Sequence, residues 1–137
     1  MATHQPLTEH DPMQHTSRVV PIAAVILLLG VALGAFGSHA LADRVIPARL
    51  DTWDTAVLYQ LVHGLGLLLV ALLGRQPGMP SLALPAWSLG LGVLFFSGSL
   101  YGLVLLNQPL LGAVTPLGGV LFLIGWGSLA WQCWRAG

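Results

Sequence analysis

The stretch from Gln76 to Trp134 has the sequence QPGMPSLALPAWSLGLGVLFFSGSLYGLVLLNQPLLGAVTPLGGVLFLIGWGSLAWQCW. These 59 residues contain no Asp, Glu, Lys, Arg or His. No water-exposed domain surface carries an uncharged stretch of this length, so we expect it to lie in lipid. About 20 apolar helical residues cross a bilayer core about 30 Å thick, and the stretch is therefore long enough for two spans. We expect the turn between them at Asn107-Gln108-Pro109.

The composition of the whole chain is that of a membrane protein. Hydrophobic residues make up 55% of it and charged residues 7%, whereas about 25% of an ordinary soluble domain is charged. Its 137 residues leave room for about four spans and for no separate catalytic domain of ordinary size. The expected partner is the lipid bilayer, and five cations balanced by five acids provide no basic surface for nucleic acid.

The sequence predicts an all-α fold, an integral membrane four-helix antiparallel bundle with short loops. We expect a disordered N-terminal tail, residues 1–17, and a four-helix domain, residues 18–137. Histidines occur in the tail, but their irregular spacing favours no metal site. The uncharged runs and their flanking prolines and arginines place the spans at about 19–41, 53–73, 85–106 and 110–134.

Residues near the predicted span ends suggest how each helix begins. Ser17 and Asp51 are suited to cap the first and second helices, because their side-chain oxygens accept bonds from free backbone N–H groups. Trp53 is expected at the membrane interface. Pro85 is expected to open the third helix, and Pro116 to bend the fourth.

The arginines beside the spans predict the orientation of the chain. Arg18, Arg75 and Arg135 fall on the side that holds both termini, and Arg44 and Arg49 fall on the other side. The positive-inside rule then favours cytoplasmic N- and C-termini. We expect the protein in the cell inner membrane.

Small residues recur every four positions on two of the predicted helices. Hydrophobic burial does not drive helices together inside lipid, so close backbone packing at small residues takes its place. The predicted packing residues are Gly30, Gly34 and Ser38 on the first helix and Gly98 and Gly102 on the third.

The polar residues of the spans are expected to converge in one half of the membrane. Tyr59, Gln60 and His63 share one face of the second helix, and antiparallel folding brings polar residues of the other helices to the same depth. The candidate polar cluster comprises His39, Tyr59, Gln60, His63, Ser97, Ser99, Tyr101 and Thr115. Two interpretations stay open: these groups only join the helices, or the histidines carry protons or bind ligands.

An ordered series of motifs resembles a known family. The series is Gly34-Ala35-Phe36-Gly37-Ser38-His39, then Trp53, Ala56, Tyr59-Gln60 and His63, then Phe96-Ser97-Gly98-Ser99-Leu100-Tyr101, then Thr115-Pro116-Leu117-Gly118-Gly119 and Gly125-Trp126. From about Val19 to Trp134 the chain is similar to the small four-pass bacterial inner-membrane proteins of domain-of-unknown-function family four-hundred-and-twenty-three. The resemblance implies four helices and cytoplasmic termini, and it implies no reaction.

Three functions follow as hypotheses. The first is a non-enzymatic interaction or assembly protein that forms a homo-oligomer or docks other membrane helices, since no catalytic motif is present. The alternative is a carrier or proton path through the polar cluster around His63. The third, haem binding by His39 and His63, is disfavoured because the two residues lie at different depths. We therefore expect no enzyme activity, no metal and no cofactor, and the lone Cys133 provides no thiol cluster.

Overall fold

Four α-helices make up most of the protein. The computed structural model describes residues 13–137, with side chains from residue 18 onward. The helices are α1 (Met13–Phe36), α2 (Pro47–Leu73), α3 (Ala83–Leu105) and α4 (Thr115–Ala136). A π-helical turn, Gly37–Leu41, continues α1, and a 3₁₀ helix, Pro109–Ala113, leads into α4. The described part of the chain contains no β-strand, and the all-α prediction is confirmed.

Each helix is long and apolar enough to cross a membrane. Taken with their flanking turns, the four candidate spans are Arg18–Leu41, Pro47–Leu73, Ala83–Leu105 and Pro109–Ala136. At about 1.5 Å per residue, a span of about 20 residues matches the thickness of the bilayer core. The predicted number and order of spans are confirmed.

The first two helices begin earlier than the sequence analysis predicted. The α1 helix begins at Met13, so Ser17 lies within the helix and not at its cap. Of the predicted tail, residues 1–12 lie outside the described residues, and 13–17 have helical backbone. In α2, Ile46 is the cap residue and Pro47 opens the helix, where its missing N–H costs no helical hydrogen bond. The predicted cap at Asp51 is wrong for this reason.

The last two helices also differ from prediction at their N-terminal ends. The α3 helix begins at Ala83, so Pro85 lies in its first turn without opening it. Pro116 is the second residue of α4, and there it does not bend the helix, because the first-turn N–H groups have no partner within the helix. The predicted turn is present: Asn107 has the left-handed backbone angle φ of 49°, which asparagine tolerates better than most residues.

Consecutive helices pack against each other and run antiparallel. The α1 helix packs on α2, α2 on α3, and α3 on α4. Along the first pair, Gly30 faces Leu61 and Gly34 faces Val57, so residue numbers rise on one helix as they fall on the other. No comparable contact joins α1 to α4 within the described residues, and each of these terminal helices therefore has a large uncovered face.

The predicted packing residues divide into those that touch a neighbour and those that do not. A Cβ atom on Gly30 would lie 2.7 Å from Leu61, and one on Gly102 would lie 2.9 Å from Leu111, so both glycines contact a leucine side chain that a larger residue would displace. Ser38 is exposed and donates a hydrogen bond to the Gly34 carbonyl of its own helix. A Cβ on Gly98 would have no described atom within 4 Å, so Gly98 packs against no other described helix.

The closest helix contact lies between α3 and α4, where a glycine on each helix faces a phenylalanine on the other. The Phe122 ring of α4 fills the space over Gly92 of α3, 2.5 Å from where a Cβ would stand. Phe96 of α3 covers Gly118 of α4 so closely that a Cβ would collide with the Phe96 backbone. This reciprocal packing lets the two backbones approach, which is how helices gain van der Waals contact in lipid.

Candidate intramembrane polar site

Gln60 joins three helices through its side-chain amide. Its Nε2 donates to the Ile26 carbonyl of α1 at 2.8 Å, and its Oε1 accepts a bond from the Tyr101 hydroxyl of α3 at 2.7 Å. The Gln60 side chain is buried. Since an unpaired amide inside lipid is costly, these two bonds hold α1, α2 and α3 in one register.

Two serines of α3 make further links between helices. Ser97 is 1% exposed, and its hydroxyl donates to the Ala56 carbonyl of α2 at 2.8 Å. The Ser99 and Thr115 hydroxyls lie 2.8 Å apart and connect α3 to the start of α4. Such bonds in membrane proteins contribute about 0.6 kcal/mol each on average.

Trp53 is a core residue and not the interfacial anchor that the sequence predicted. Its side chain is fully buried, and its indole N–H donates to the Leu33 carbonyl at 2.9 Å. The Tyr101 ring packs on it at 4.6 Å between centroids, and a Cβ on Gly37 would lie 2.6 Å from its indole. Gly37 opens the π-helical turn, so the irregular turn lies directly over the indole that binds the α1 backbone.

Tyr59 and His63 form a second group with aromatic residues of α3 and α4. The His63 ring stacks on Phe122 with 3.4 Å between centroids, and the Tyr59 ring stacks on Phe96 at 4.3 Å. The Tyr59 and His63 rings, both on α2, are nearly parallel, with 5.5 Å between their centroids. Trp126 lies at 6.1 Å from His63. We call these five residues the aromatic site.

The hydrogen bonds of the aromatic site stay within α2. His63 Nδ1 lies 2.7 Å from the Tyr59 carbonyl, and because a carbonyl only accepts, Nδ1 is the donor. Among the described residues, neither His63 Nε2 nor the Tyr59 hydroxyl has a hydrogen-bond partner. A neutral imidazole that donates through Nδ1 keeps its lone pair on Nε2, so one acceptor and one hydroxyl remain without partners.

The structure divides the candidate cluster into separate groups. Gln60 pairs with Tyr101, Ser97 with the α2 backbone, and Ser99 with Thr115, but no side-chain hydrogen bond among the described residues links these groups to His63. His39 is exposed in the π-helical turn and takes no part in any of them.

The two halves of the helix assembly differ in character. The core on the side of the α2 C-terminus is built from apolar side chains, among them Leu67, Val70 and Leu89. The core on the other side is centred on Trp53 and includes Tyr101 at its edge. The hydrogen-bonded polar side chains lie beside this second core and in the layer between the two cores.

Sequence reasoning missed the aromatic partners of His63. The apolar runs of the sequence contain Phe96, Phe122 and Trp126. Nothing in these runs distinguishes a ring that faces lipid from a ring that stacks on histidine. A spacing signal exists in retrospect: Phe122 and Trp126 are four residues apart on α4, as Tyr59 and His63 are on α2. Residues at this spacing share a helix face.

Four apolar helices joined by buried hydrogen bonds define a small multi-pass membrane protein. Comparison with protein families identifies which one: the family model described as "Protein of unknown function (DUF423)" matches residues 33–119. The chain belongs to this family, as the resemblance of its motifs implied.

Curated relatives agree with this assignment. The chain is 43% identical over 105 residues to a UPF0382 membrane protein of Staphylococcus epidermidis, a match that covers 77% of this chain and 85% of the relative. It is 43% identical over 106 residues to the UPF0382 membrane protein YwdK of Bacillus subtilis, covering 77% and 86% of the two chains. A comparison with solved structures found no significant match.

Proposed function

We propose that this protein is a non-enzymatic membrane protein that assembles with further transmembrane helices, in the first place those of a second copy of itself. The observation that carries the proposal is a set of glycines on the outer surface of α3 and α4. Cβ atoms built at these positions meet no described atom within 4 Å; the residues are Gly90, Gly98, Gly119 and Gly127.

Outward-facing glycines have no packing role within the four helices. Each destabilises its helix by about 0.8 to 1.0 kcal/mol relative to alanine. In membranes, small residues on a helix surface permit another helix to approach closely. The uncovered faces of α1 and α4 add surface on which such an approach is sterically open.

The test uses substitutions that fit the single chain but block a neighbour. Gly98→Leu and Gly127→Leu place side chains in open space, so the fold should keep its thermal stability. Self-association is measured by energy transfer between labelled chains in liposomes as the protein-to-lipid ratio is varied. We expect wild type to associate and each variant to associate at least several-fold more weakly. Leu123→Ala, which only trims a lipid-facing side chain that is 75% exposed, is the control.

The proposal fails if wild type stays monomeric at every ratio and purification in mild detergent recovers it alone. It also fails if the two leucine variants associate as strongly as wild type. An unchanged energy transfer in both would mean that these glycines face acyl chains in the membrane.

We further propose that the protein lies in the cell inner membrane with both termini in the cytoplasm. The support is the arginine distribution, three at the side of the termini and two at the other, read by the positive-inside rule. The relatives are called membrane proteins, which is consistent with this location.

A carrier or proton path is the second candidate function. It is favoured by the unpartnered His63 Nε2, because polar groups inside membranes often mark pathways. The paired state of Gln60, Ser97 and Tyr101 favours the assembly function instead, since these groups are already occupied. Proton or solute flux in liposomes that is unaffected by His63→Leu and Tyr59→Phe would exclude the carrier.

A further inference from the structure

The aromatic site has polar atoms that the fold itself does not use. His63 is 7% exposed, and its Nε2 acceptor has no partner among the described residues. Among all the described residues, Gln132 Oε1 is the one side-chain N or O atom that is fully enclosed and has no partner. The Nε2 atom therefore reaches the surface of the protein, although the residue around it is buried.

The neighbouring Tyr59 is open on the same side of α2. It is 38% exposed, and its hydroxyl is also unpartnered among the described residues. Trp126 on α4 is 36% exposed and stands beside His63. A molecule dissolved in the bilayer thus has access to an imidazole acceptor, a phenolic hydroxyl and several ring surfaces.

Leaving these two groups unpaired inside lipid has a cost. A buried polar group without a partner destabilises a protein by about 1 to 3 kcal/mol, and hydrocarbon supplies no water to replace the partner. At Gln60 the protein satisfies an intramembrane amide with two short bonds, and Gln132 Oε1, near the C-terminal end of α4, is the enclosed atom that is left unpaired. His63 Nε2 and the Tyr59 hydroxyl differ from Gln132 Oε1 because they lie one helical turn apart and are open to the surface, and this pair of groups points to a partner outside the described residues.

We propose that the aromatic site binds a lipid-soluble aromatic ring that carries a hydroxyl group, of the phenol or hydroquinone type. The ligand hydroxyl donates a hydrogen bond to His63 Nε2 and accepts one from the Tyr59 hydroxyl, since a phenol does both. Its ring packs beside the rings of Tyr59 and His63, which are nearly parallel to each other. The proposal concerns binding, and it is independent of the assembly function.

The membrane setting decides against ordinary acyl lipids. An acyl chain gains no hydrophobic energy by moving from the bilayer into a protein groove, because the bilayer is equally apolar. Ring stacking contributes about 0.5 to 1.5 kcal/mol beyond area burial, and hydrocarbon offers no acceptor to a hydroxyl. Only a ligand with both a flat ring and a hydroxyl gains both contributions.

Three small probes separate the two contributions. β-Naphthol has the ring and the hydroxyl, its methyl ether has the ring without the donor, and n-decanol has the hydroxyl without the ring. Each is equilibrated with protein in nanodiscs and with empty nanodiscs of the same lipid, and the difference gives specific binding. We expect β-naphthol to saturate, the ether to bind about five- to tenfold more weakly for one lost hydrogen bond, and n-decanol to show no specific binding.

Matched variants locate the site. Tyr59→Phe removes only an unpartnered hydroxyl, so it should weaken β-naphthol several-fold and leave thermal stability unchanged. Tyr101→Phe removes the hydroxyl that binds Gln60, so it should lower stability and leave binding unchanged. His63→Phe keeps a ring but loses the acceptor, so β-naphthol and its ether should become nearly equal in affinity.

The inference is overturned if β-naphthol shows no more binding with protein than with empty nanodiscs. It is equally overturned if the ether or n-decanol binds as well as β-naphthol to wild type, or if Tyr101→Phe weakens binding as much as Tyr59→Phe does. Since Tyr59→Phe is not expected to disturb the fold, the test stands even where His63→Phe does not fold. Self-association in liposomes is a separate measurement, so either proposal can fail alone.

Discussion

Gly118→Ala should open the contact between α3 and α4. The new methyl group would collide with the Phe96 backbone N and lie 2.6 Å from its Cβ and 2.7 Å from its Cα. Backbone atoms cannot rotate away as a side-chain end can, so the helices themselves must move. Restoring an ordinary carbon–carbon separation of about 3.5 to 4.0 Å requires them to part by about 1 Å.

The expected loss of stability follows from this displacement. Overpacking a well-packed site costs about 1 to 3 kcal/mol. Separation of the helices also loosens the Phe122 ring over Gly92, the reciprocal contact one turn away, so we expect the upper part of that range. The measurement is denaturant unfolding in a mild detergent, followed by circular dichroism.

The next residue provides a matched control. Gly119 has no described atom within 4 Å of its Cβ position, so Gly119→Ala should be neutral or stabilise the helix by up to about 1 kcal/mol. Equal effects of the two alanine substitutions would refute the assignment of Gly118 to the helix contact. So would a Gly118→Ala variant as stable as wild type.

Three further outcomes are expected. Ser97→Ala should cost about 0.6 to 1.7 kcal/mol in the same unfolding assay, because it removes the bond to the α2 backbone; no loss would mean that the bond does not form. Asn107→Val should cost about 1 to 2 kcal/mol for the left-handed backbone, whereas Asn107→Gly should cost less, and the reverse order would contradict this turn. With Cys133→Ser as background, Gly137→Cys should react with a membrane-impermeant maleimide only after the cells are permeabilised; labelling of intact spheroplasts would reverse the proposed orientation.

The number of spans was predictable because hydropathy alone sets it. The uncharged runs and the polar turn at Asn107 leave few ways to cross a bilayer, and the predicted end of the second span at Leu73 agrees with the end of α2. The start of α2 was not predictable in the same way. Its first turns contain charged and hydroxyl residues that also suit a loop, and there the Thr52 and Thr55 hydroxyls donate to carbonyls of their own helix at 2.9 Å.

The pairing of the polar residues depends on geometry that spacing does not contain. Helical periodicity placed Tyr59, Gln60 and His63 on one broad face. In the structure Gln60 bonds to α1 and to Tyr101 of α3, whereas Tyr59 and His63 stack on phenylalanines of α3 and α4. Glycine spacing likewise does not tell which helix a glycine faces. Gly98 matches a packing pattern yet faces outward, whereas Gly118 owes its role to a phenylalanine on another helix.

Buried polar side chains pair across helices within the membrane, and Gln60 and Tyr101 form the shortest such pair. A double-mutant cycle with Gln60→Leu and Tyr101→Phe tests it most directly, because the cycle isolates the one bond that the two residues share. Unfolding free energies of the four proteins should show a favourable coupling of about 0.6 kcal/mol or more. Strictly additive effects would contradict this pairing.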